Sequence, residues 1–401
     1  MNIVRDLNDD RRHEAVSDTV LAGMDAETAE AKGLPNEAFT DPAFLELERK
    51  HLFARTWVFA GPRSAVAEPG AVKCLEVAGR HLFMTTDRNG ETRVFFNVCP
   101  HRGARLVIED QDKAAALTCP YHGWAFGLDG SLRGRPHYNG PRDHDREGSK
   151  ADRDCLFEVR SAVWHDWVFV NIDGEAPPFE DYMAPAFREY AGWDFGALRY
   201  AHYQPFEFHA NWKLVVENFC DNYHVFMVHP ALHDAQDVYR RTGMRPGGVH
   251  MFNEFVIGAE GLGLTVDPDA PVMPEFPNLS AENRNVSPFC NLFPNMTMAI
   301  FPSYANMFCY EPVGVDKTIM HVWFYFMDEA AGDEHRAGRE AVIADWVNLN
   351  AEDSGICRRL QEGRTCDAYD GGRFSPYWDA GTLHFHRQIA DAIRGEGAFL
   401  C

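Results

Sequence analysis

The chain has 401 residues, 45% of them hydrophobic and 13% aromatic, with a formal net charge of −22. That length and apolar content allow two or three domains with sizeable cores, while the acidic balance argues against nucleic acid or an anionic membrane as partner. No run reaches the roughly 18 apolar residues that a membrane span needs, and Met1–Arg12 lacks the apolar core of a signal peptide. Ten cysteines are present. Two belong to a motif described below; Cys74, Cys155, Cys220, Cys290, Cys309, Cys357, Cys366 and Cys401 show no paired spacing, as expected of reduced thiols in a cytoplasmic protein. Residues 1–36 are polar and read as an arm or short helix. Thr40-Asp41-Pro42 then caps a predicted helix through Phe44, Leu45, Leu47, Glu48 and Leu52.

From Trp57 the texture changes to short β runs broken by turns. Residues 72–77, 81–86 and 92–98 alternate or run apolar, with Arg88-Asn-Gly-Glu as a hairpin turn. Cys99-Pro-His101 and Cys119-Pro-Tyr-His122 follow, each offering one thiolate and one imidazole across a tight turn. Four such ligands fit a structural zinc. They equally fit a [2Fe–2S] cluster with two Cys on one iron and two His on the other. The flanks favour the cluster: Gly103 and Gly123 each follow a ligand pair, where backbone must pass close to the metal. The strings Cys99-Pro-His-Arg-Gly-Ala and Cys119-Pro-Tyr-His-Gly-Trp resemble Rieske proteins. Residues 125–132 repeat the β pattern, 139–154 read as an exposed loop, and 163–171 as a closing strand. A small antiparallel domain is therefore expected over 56–172, with the cluster at two loop tips.

Pro177-Pro178 marks the exit, followed by a predicted helix over 187–193 and a strand over 199–208. In Asn211–Pro230, Asp221 and His224 fall at i, i+3 on a predicted helix. His229 lies about 140° away around an ideal helix, but Pro230 disfavours helical backbone at His229. A break there lets both imidazoles reach one point. Residues 232–285 are loop-rich and read equally as pocket cover or surface excursion. Runs at 291–301, 305–310 and 318–326 predict an antiparallel sheet with one buried face. The last long helix, about 334–362, carries the stripe Val342, Trp346, Leu349, Asp353, Ile356, Leu360. A carboxylate in such a stripe must be paired or bound to metal; His224, His229 and Asp353 together make a 2-His-1-carboxylate set with open positions.

At this point the chain resembles, over nearly its whole length, the catalytic α subunit of Rieske non-haem iron oxygenases. Both motifs are present, the cluster pair and Glu217-Asn-Phe-Cys-Asp-Asn-Tyr-His-x4-His-Pro. Glu352-Asp353 followed by Gln361-x-Gly363 matches the third-ligand region less specifically. The resemblance implies an α+β fold. A small antiparallel Rieske domain (56–172) is inserted in a larger catalytic domain (1–55 and 173–401) whose antiparallel sheet is surrounded by helices. It implies a [2Fe–2S] cluster on Cys99, His101, Cys119 and His122, and Fe(II) on His224, His229 and Asp353. It also implies a head-to-tail homotrimer in which Asp221 bridges a neighbour's cluster histidine to His224, carrying electrons between subunits. No Gly-rich dinucleotide fingerprint is present, so a separate NAD(P)H-dependent reductase or ferredoxin is expected to supply those electrons.

The length and the wording of the iron motif are more similar to the branch that oxidises quaternary-ammonium compounds than to aromatic-ring dioxygenases. O2-dependent N-demethylation or hydroxylation of a betaine-like small molecule is expected, with aromatic-ring or aromatic-acid hydroxylation as the rival. Phe301, Tyr304, Phe308 and Tyr310 are candidates to face a methylated cation, or simply to pack the sheet. Ser303 stands where much of that branch carries an acid. Two readings of other classes are an electron-transfer-only Rieske protein and a zinc-bound interaction protein.

Overall fold

The computed structural model describes residues 13–149, 151–234, 237–256, 273–369 and 371–396. Its chain divides into two compact units, Trp57–Glu175 and a larger one in which Val4–Thr56 joins Ala176–Cys401. The arm expected at the N-terminus lies outside the described residues up to position 12; beyond it runs the short helix α1 (Asp18–Met24).

In the smaller unit the strands are β1 (Val58–Pro62), β2 (Val72–Val77), β3 (Arg80–Thr86), β4 (Thr92–Phe96), β5 (Leu117–Thr118), β6 (Ala125–Phe126), β7 (Leu132–Gly140), β8 (Asp143–Asp145), β9 (Glu158–Trp164) and β10 (Trp167–Asn171). Six form an antiparallel sheet in the order β1-β10-β9-β4-β3-β2, and β5-β6-β7-β8 form a second. The β3–β4 hairpin turns where expected. Asp87 Oδ1 accepts from Asn89 N–H (2.8 Å) and Glu91 N–H (3.1 Å), and Gly90 takes φ +83°. Phe83 stacks on Phe95 at 5.4 Å in the core that also buries Phe126, Leu132 and both motif cysteines. One expectation needs correction, because the segment read as a loop over 139–154 contains β8. Arg135 on β7 pairs with Asp145 on β8 at 2.5 Å, a cross-strand ion pair that spacing alone did not suggest.

The larger unit begins with α1, then α2 (Glu37–Thr40) and α3 (Pro42–Leu47). Asp41 caps α3 as expected, accepting from Ala43 N–H at 2.8 Å with Pro42 as the first helical residue. The predicted helix at 187–193 lies further upstream, as α4 (Phe179–Glu189), starting immediately after Pro177-Pro178. The seven antiparallel strands β11 (Leu198–Phe208), β12 (Arg245–Gly247), β13 (His250–Val256), β14 (Val286–Leu292), β15 (Met296–Phe301), β16 (Tyr304–Gly314) and β17 (Lys317–Met327) order as β11-β17-β16-β15-β14-β13-β12. Three corrections follow from their burial and register. The run at 291–301 is a hairpin, β14 turning into β15 at 293–295; both strands are buried throughout rather than on one face. The stretch 232–285 supplies the edge strand β12 and its neighbour β13, while its residues 257–272, including Gly261-Leu-Gly, lie outside the described residues. And β17 alone keeps the clean alternation of a half-exposed strand over Lys317–Phe324.

The helices that matter for the site are α5 (Trp212–Cys220), α6 (Val225–Val228), α7 (Pro230–Asp234), α8 (Arg336–Gly363) and α9 (Ala380–Arg394). Helix α9, not anticipated, buries Leu383, Phe385, Ile389 and Ile393 on one face and ends at Gly395 with φ +75°. Helix α5 is buried nearly all round, including Lys213. Asn211 caps it, accepting from Lys213 N–H at 3.1 Å. Lys213 Nζ reaches Glu48 at 2.6 Å with both side chains fully enclosed, and Trp212 Nε1–H donates to the other Glu48 oxygen at 2.9 Å. One turn on, Glu217 accepts from His386 on α9 at 2.8 Å. Burial pushes the Glu48 carboxyl up and the Lys213 ammonium down, but a contact this short holds them as an ion pair. Removing either partner strands a charge in the core, at a cost of about 3–5 kcal/mol.

His250 on β13 is buried as a neutral imidazole. Its Nδ1 accepts from Phe293 N–H (3.1 Å) and its Nε2–H donates to the Tyr182 carbonyl (2.9 Å), and burial holds its pKa down to about 4. In the unfolded chain this group titrates near the ordinary histidine value, so the unfolded state takes up the proton first as pH falls. Stability should therefore drop by about 2 kcal/mol between pH 7 and pH 5 through this group alone. Denaturant titrations of the wild type and of His250→Asn at both pH values should show a shallower pH dependence in the variant. Equal slopes would discount His250.

Candidate metal centres

The two cysteine loops of the smaller unit are copies of one turn. Cys99 N–H donates to Ala104 C=O (2.8 Å) and Gly103 N–H to Cys99 C=O (3.0 Å); Cys119 N–H donates to Trp124 C=O (2.8 Å) and Gly123 N–H to Cys119 C=O (3.0 Å). Each closes through a glycine four residues after the cysteine, Gly103 at φ +75° and Gly123 at φ +70°, conformations that a side chain would strain. A Cβ on Gly123 would also meet Pro136 Cγ at 2.9 Å. Asn97 fastens the base of the first loop, accepting from Leu106 and Val107 N–H and donating to Val107 C=O at 2.7 Å.

These loops bring the predicted four together. Both thiols are buried, and burial with the neighbouring Cys119 thiol pushes Cys99 up to about 11. The rings of His101 and His122 lie 4.6 Å apart. His122 Nδ1 is buried without a hydrogen-bond partner among the described residues, the state of a ring nitrogen that wants a metal. Trp124 stacks on His101 at 4.7 Å and 4°, and the Arg135 guanidinium lies 5.2 Å from the centre of the indole. Two adjacent thiols and two adjacent imidazoles on stiff loops fit a [2Fe–2S] cluster.

In the larger unit α5 ends at Cys220, earlier than the sequence suggested. Asp221 is extended (φ −97°, ψ 112°), and its Oδ1 accepts from Tyr223 N–H at 2.5 Å. Asn222 Nδ2 donates to Thr242 C=O at 2.7 Å. The local bond from Tyr223 N–H to the Asp221 side chain competes with helix. A second break comes at His229 (φ −125°, ψ 70°) before Pro230, as expected. Between the breaks sits one turn, α6, with His224 at its start and His229 at its end. Asp221 and His224 thus do not share a helix; they meet across a bend, Oδ2 to Nδ1 at 3.4 Å.

Asp353 enters from α8. Its Oδ1 lies 2.9 Å from His229 Nε2 and 3.6 Å from His224 Nε2, and one ligand atom from each of the three lies within 4.8 Å of the others. A metal with bonds of about 2.1 Å spaces adjacent ligand atoms at such separations. The remaining His229 nitrogen, Nδ1, contacts Glu352 at 2.6 Å, the carboxylate–histidine arrangement that fixes a ligand ring. Burial alone would lower the His229 pKa, but Asp353 and Glu352 outweigh it and raise it, so a cation is favoured at this point. Glu352 was visible beside Asp353 in sequence; its contact with His229 was not. Cys220 is a buried filler at the end of α5, its thiol pushed well up by burial.

Aromatic rings of the sheet pack against α5 and α8, the helices that lead to this site. Tyr310, whose hydroxyl is pushed up by burial with Cys220 and Asp353 adding, lies 5.9 Å from Phe219. Phe219 meets Phe308 at 5.0 Å, Phe308 meets Trp346 at 5.2 Å, and Trp346 meets Phe301, stacked on Tyr304 at 4.4 Å. Phe219 and Trp346 complete a group of which the sheet residues were the legible half. The buried stripe of α8 also differs from the expected one. It is Trp346, Asn350, Asp353, Cys357 and Gln361, with Leu360 exposed, because polar residues on this helix face inward to bond.

Comparison with known proteins agrees with this geometry. The family described as "Ring hydroxylating alpha subunit (catalytic domain)" matches residues 195–395, half of the chain, and the Rieske [2Fe-2S] domain matches residues 56–143. The chain is 26% identical over 392 residues to the carnitine monooxygenase oxygenase subunit of Escherichia coli (strain K12), covering 92% of this chain and 96% of that protein. It is 25% identical over 385 residues to the chloroplastic choline monooxygenase of Spinacia oleracea, covering 90% and 78%. A crystal structure of a quaternary ammonium Rieske monooxygenase in complex with an inhibitor superposes with a TM-score of 0.77 at 22% identity, covering 95% of this chain and 99% of that one, which supports the expected fold. The chain belongs to the ring-hydroxylating α subunits, the Rieske non-haem iron oxygenases.

Proposed function

We propose that this oxygenase hydroxylates a carbon next to the nitrogen of a quaternary-ammonium compound, N-demethylation being the simplest outcome. The observation that carries the substrate class is the aromatic group Tyr310–Phe219–Phe308–Trp346 on β16, α5 and α8, the ring type that holds a methylated cation. The carnitine and choline monooxygenases among its relatives point the same way. Hydroxylation of an N-methyl carbon gives an unstable hemiaminal, which releases formaldehyde.

In this reading Cys99, His101, Cys119 and His122 hold the [2Fe–2S] cluster, and His224, His229 and Asp353 hold the iron. A mononuclear iron at this set supplies the oxygen chemistry, fed with single electrons by the cluster. Around it, Glu352 fixes the His229 ring and Asp221 faces the His224 ring. The domain limits proposed are 56–172 for the Rieske domain, with 1–55 and 173–401 for the catalytic domain. A separate reductase or ferredoxin provides the electrons. We further assign a homotrimer, in which the exposed Ile108 and Tyr121 near the cluster loops, and Tyr223, Phe226 and Met227 beside Asp221, are covered by neighbouring copies. Asp221 then has a histidine on either side. A cytoplasmic location fits the unpaired cysteines and the lack, among the described residues, of any helix long and apolar enough to cross a membrane.

Asp353→Ala and His224→Ala should each lose mononuclear iron by metal analysis while keeping the visible spectrum of the cluster; full iron retention in both would show the ligands misassigned. Asp221→Asn should keep both metals yet stall single-turnover electron transfer, and normal turnover would remove Asp221 from the route. The substrate class is tested with a panel of methylated ammonium compounds and aromatic acids, a surrogate reductase, and assays for formaldehyde and hydroxylated products. Formaldehyde from ammonium compounds is expected, whereas turnover of aromatic acids alone would transfer the enzyme to the ring-hydroxylating reading.

A further inference from the structure

Helix α8 aims Trp346, Asn350 and Asp353 to the same buried side at steps of four and three residues. Asn350 therefore sits one turn from Trp346 of the aromatic group and one turn from the metal-ligand carboxylate. It is fully enclosed. Its Nδ2 donates to the Trp346 carbonyl at 2.8 Å, and since a carbonyl only accepts, this contact fixes which end of the amide is oxygen. The oxygen, Oδ1, is buried and has no hydrogen-bond partner among the described residues. A buried amide oxygen left in that state is costly, and its natural partner is a donor brought by a ligand.

A quaternary nitrogen carries no N–H, so the donor must lie elsewhere on the molecule. We propose that Asn350 Oδ1 accepts a hydrogen bond from a hydroxyl group on the carbon skeleton of the substrate, making this enzyme selective for hydroxylated quaternary-ammonium compounds over their deoxy counterparts. The inference rests on the ammonium reading given above. A neutral acceptor suits the position, since Asp353 already places a carboxylate one turn away. Apolar walls reject a missing hydroxyl weakly, whereas an acceptor built for it rejects strongly.

The test uses the metal-loaded enzyme without O2 and two matched pairs: L-carnitine with γ-butyrobetaine, and choline with ethyltrimethylammonium. Dissociation constants are measured by calorimetry. In the wild type at least one hydroxylated member should bind roughly tenfold or more tightly than its partner. Asn350→Leu should erase that difference by weakening the hydroxylated compound only, with Asn350→Ser, which keeps a smaller acceptor, in between. Cluster spectrum and iron content report that each variant is folded. Equal affinities within both pairs in the wild type would overturn the inference and leave the ammonium reading standing, and so would a preference that survives in Asn350→Leu. Binding of aromatic acids with neither pair bound would overturn both. The wild-type comparison decides the matter even where a variant does not fold.

Discussion

The site exists because a helix stops. Through Cys220, α5 is a cylinder buried nearly all round, fixed at its start by Asn211, along its length by the Lys213–Glu48 pair and near its end by Glu217 against His386. A rod held so firmly delivers its last residue to one place. If the helix simply continued, His224 and His229 would point to different sides, and Asp353 could meet only one. Asp221 and Asn222 prevent this by spending their side chains on nearby backbone rather than on the next turn. The chain then makes one short turn, stops again before Pro230, and presents both imidazoles to α8.

The rigidity beneath this bend and the electrostatics within it are matched. The supporting acids are each met by a partner, Glu48 by Lys213 and Glu217 by a hydrogen bond from His386 with the Arg364 guanidinium 3.9 Å away, so they hold α5 without standing bare in the core. At the site the balance is tilted the other way. Asp353 and Glu352 stand on either nitrogen of His229, and Asp221 faces His224, so three carboxylates surround two imidazoles. That excess of negative charge asks for a cation, and its polarity is set by residues from two helices distant in sequence.

What could be read from the sequence was chemistry carried by close neighbours. Cys99 with His101, Cys119 with His122, and the glycine that closes each loop are local, and the twin turns follow from their order. The break at His229 follows from Pro230 alone. Contacts across the fold were less legible. Asp353 was found because a charge in an apolar stripe is conspicuous, although most of the stripe drawn around it was not the buried face. Asn350 had no place in that stripe, and Gln361 entered only through the Gln361-x-Gly363 pattern, yet both face inward once the helix is packed. The break after Cys220 was missed because Asn218-Phe-Cys-Asp-Asn has no proline, and of the two side-chain bonds that accompany it, the one from Asn222 exists only once Thr242 is in place. The hairpin inside 291–301 was hidden by strands apolar on both faces, which leave no alternation to mark the turn.

The Glu48–Lys213 pair has one more consequence. Its two members stand on opposite sides of the Trp57–Glu175 unit in the chain, so the ribosome must emit that whole unit before the lysine appears. The smaller unit has all its strands to hand by then. Glu48, by contrast, is an acid destined for a dry core whose counter-charge has not yet been made. Until α5 is synthesised, the leading segment has reason to stay in water. The ion pair can therefore form only after the inserted unit has been made, and it joins the two stretches of chain that flank that unit in sequence.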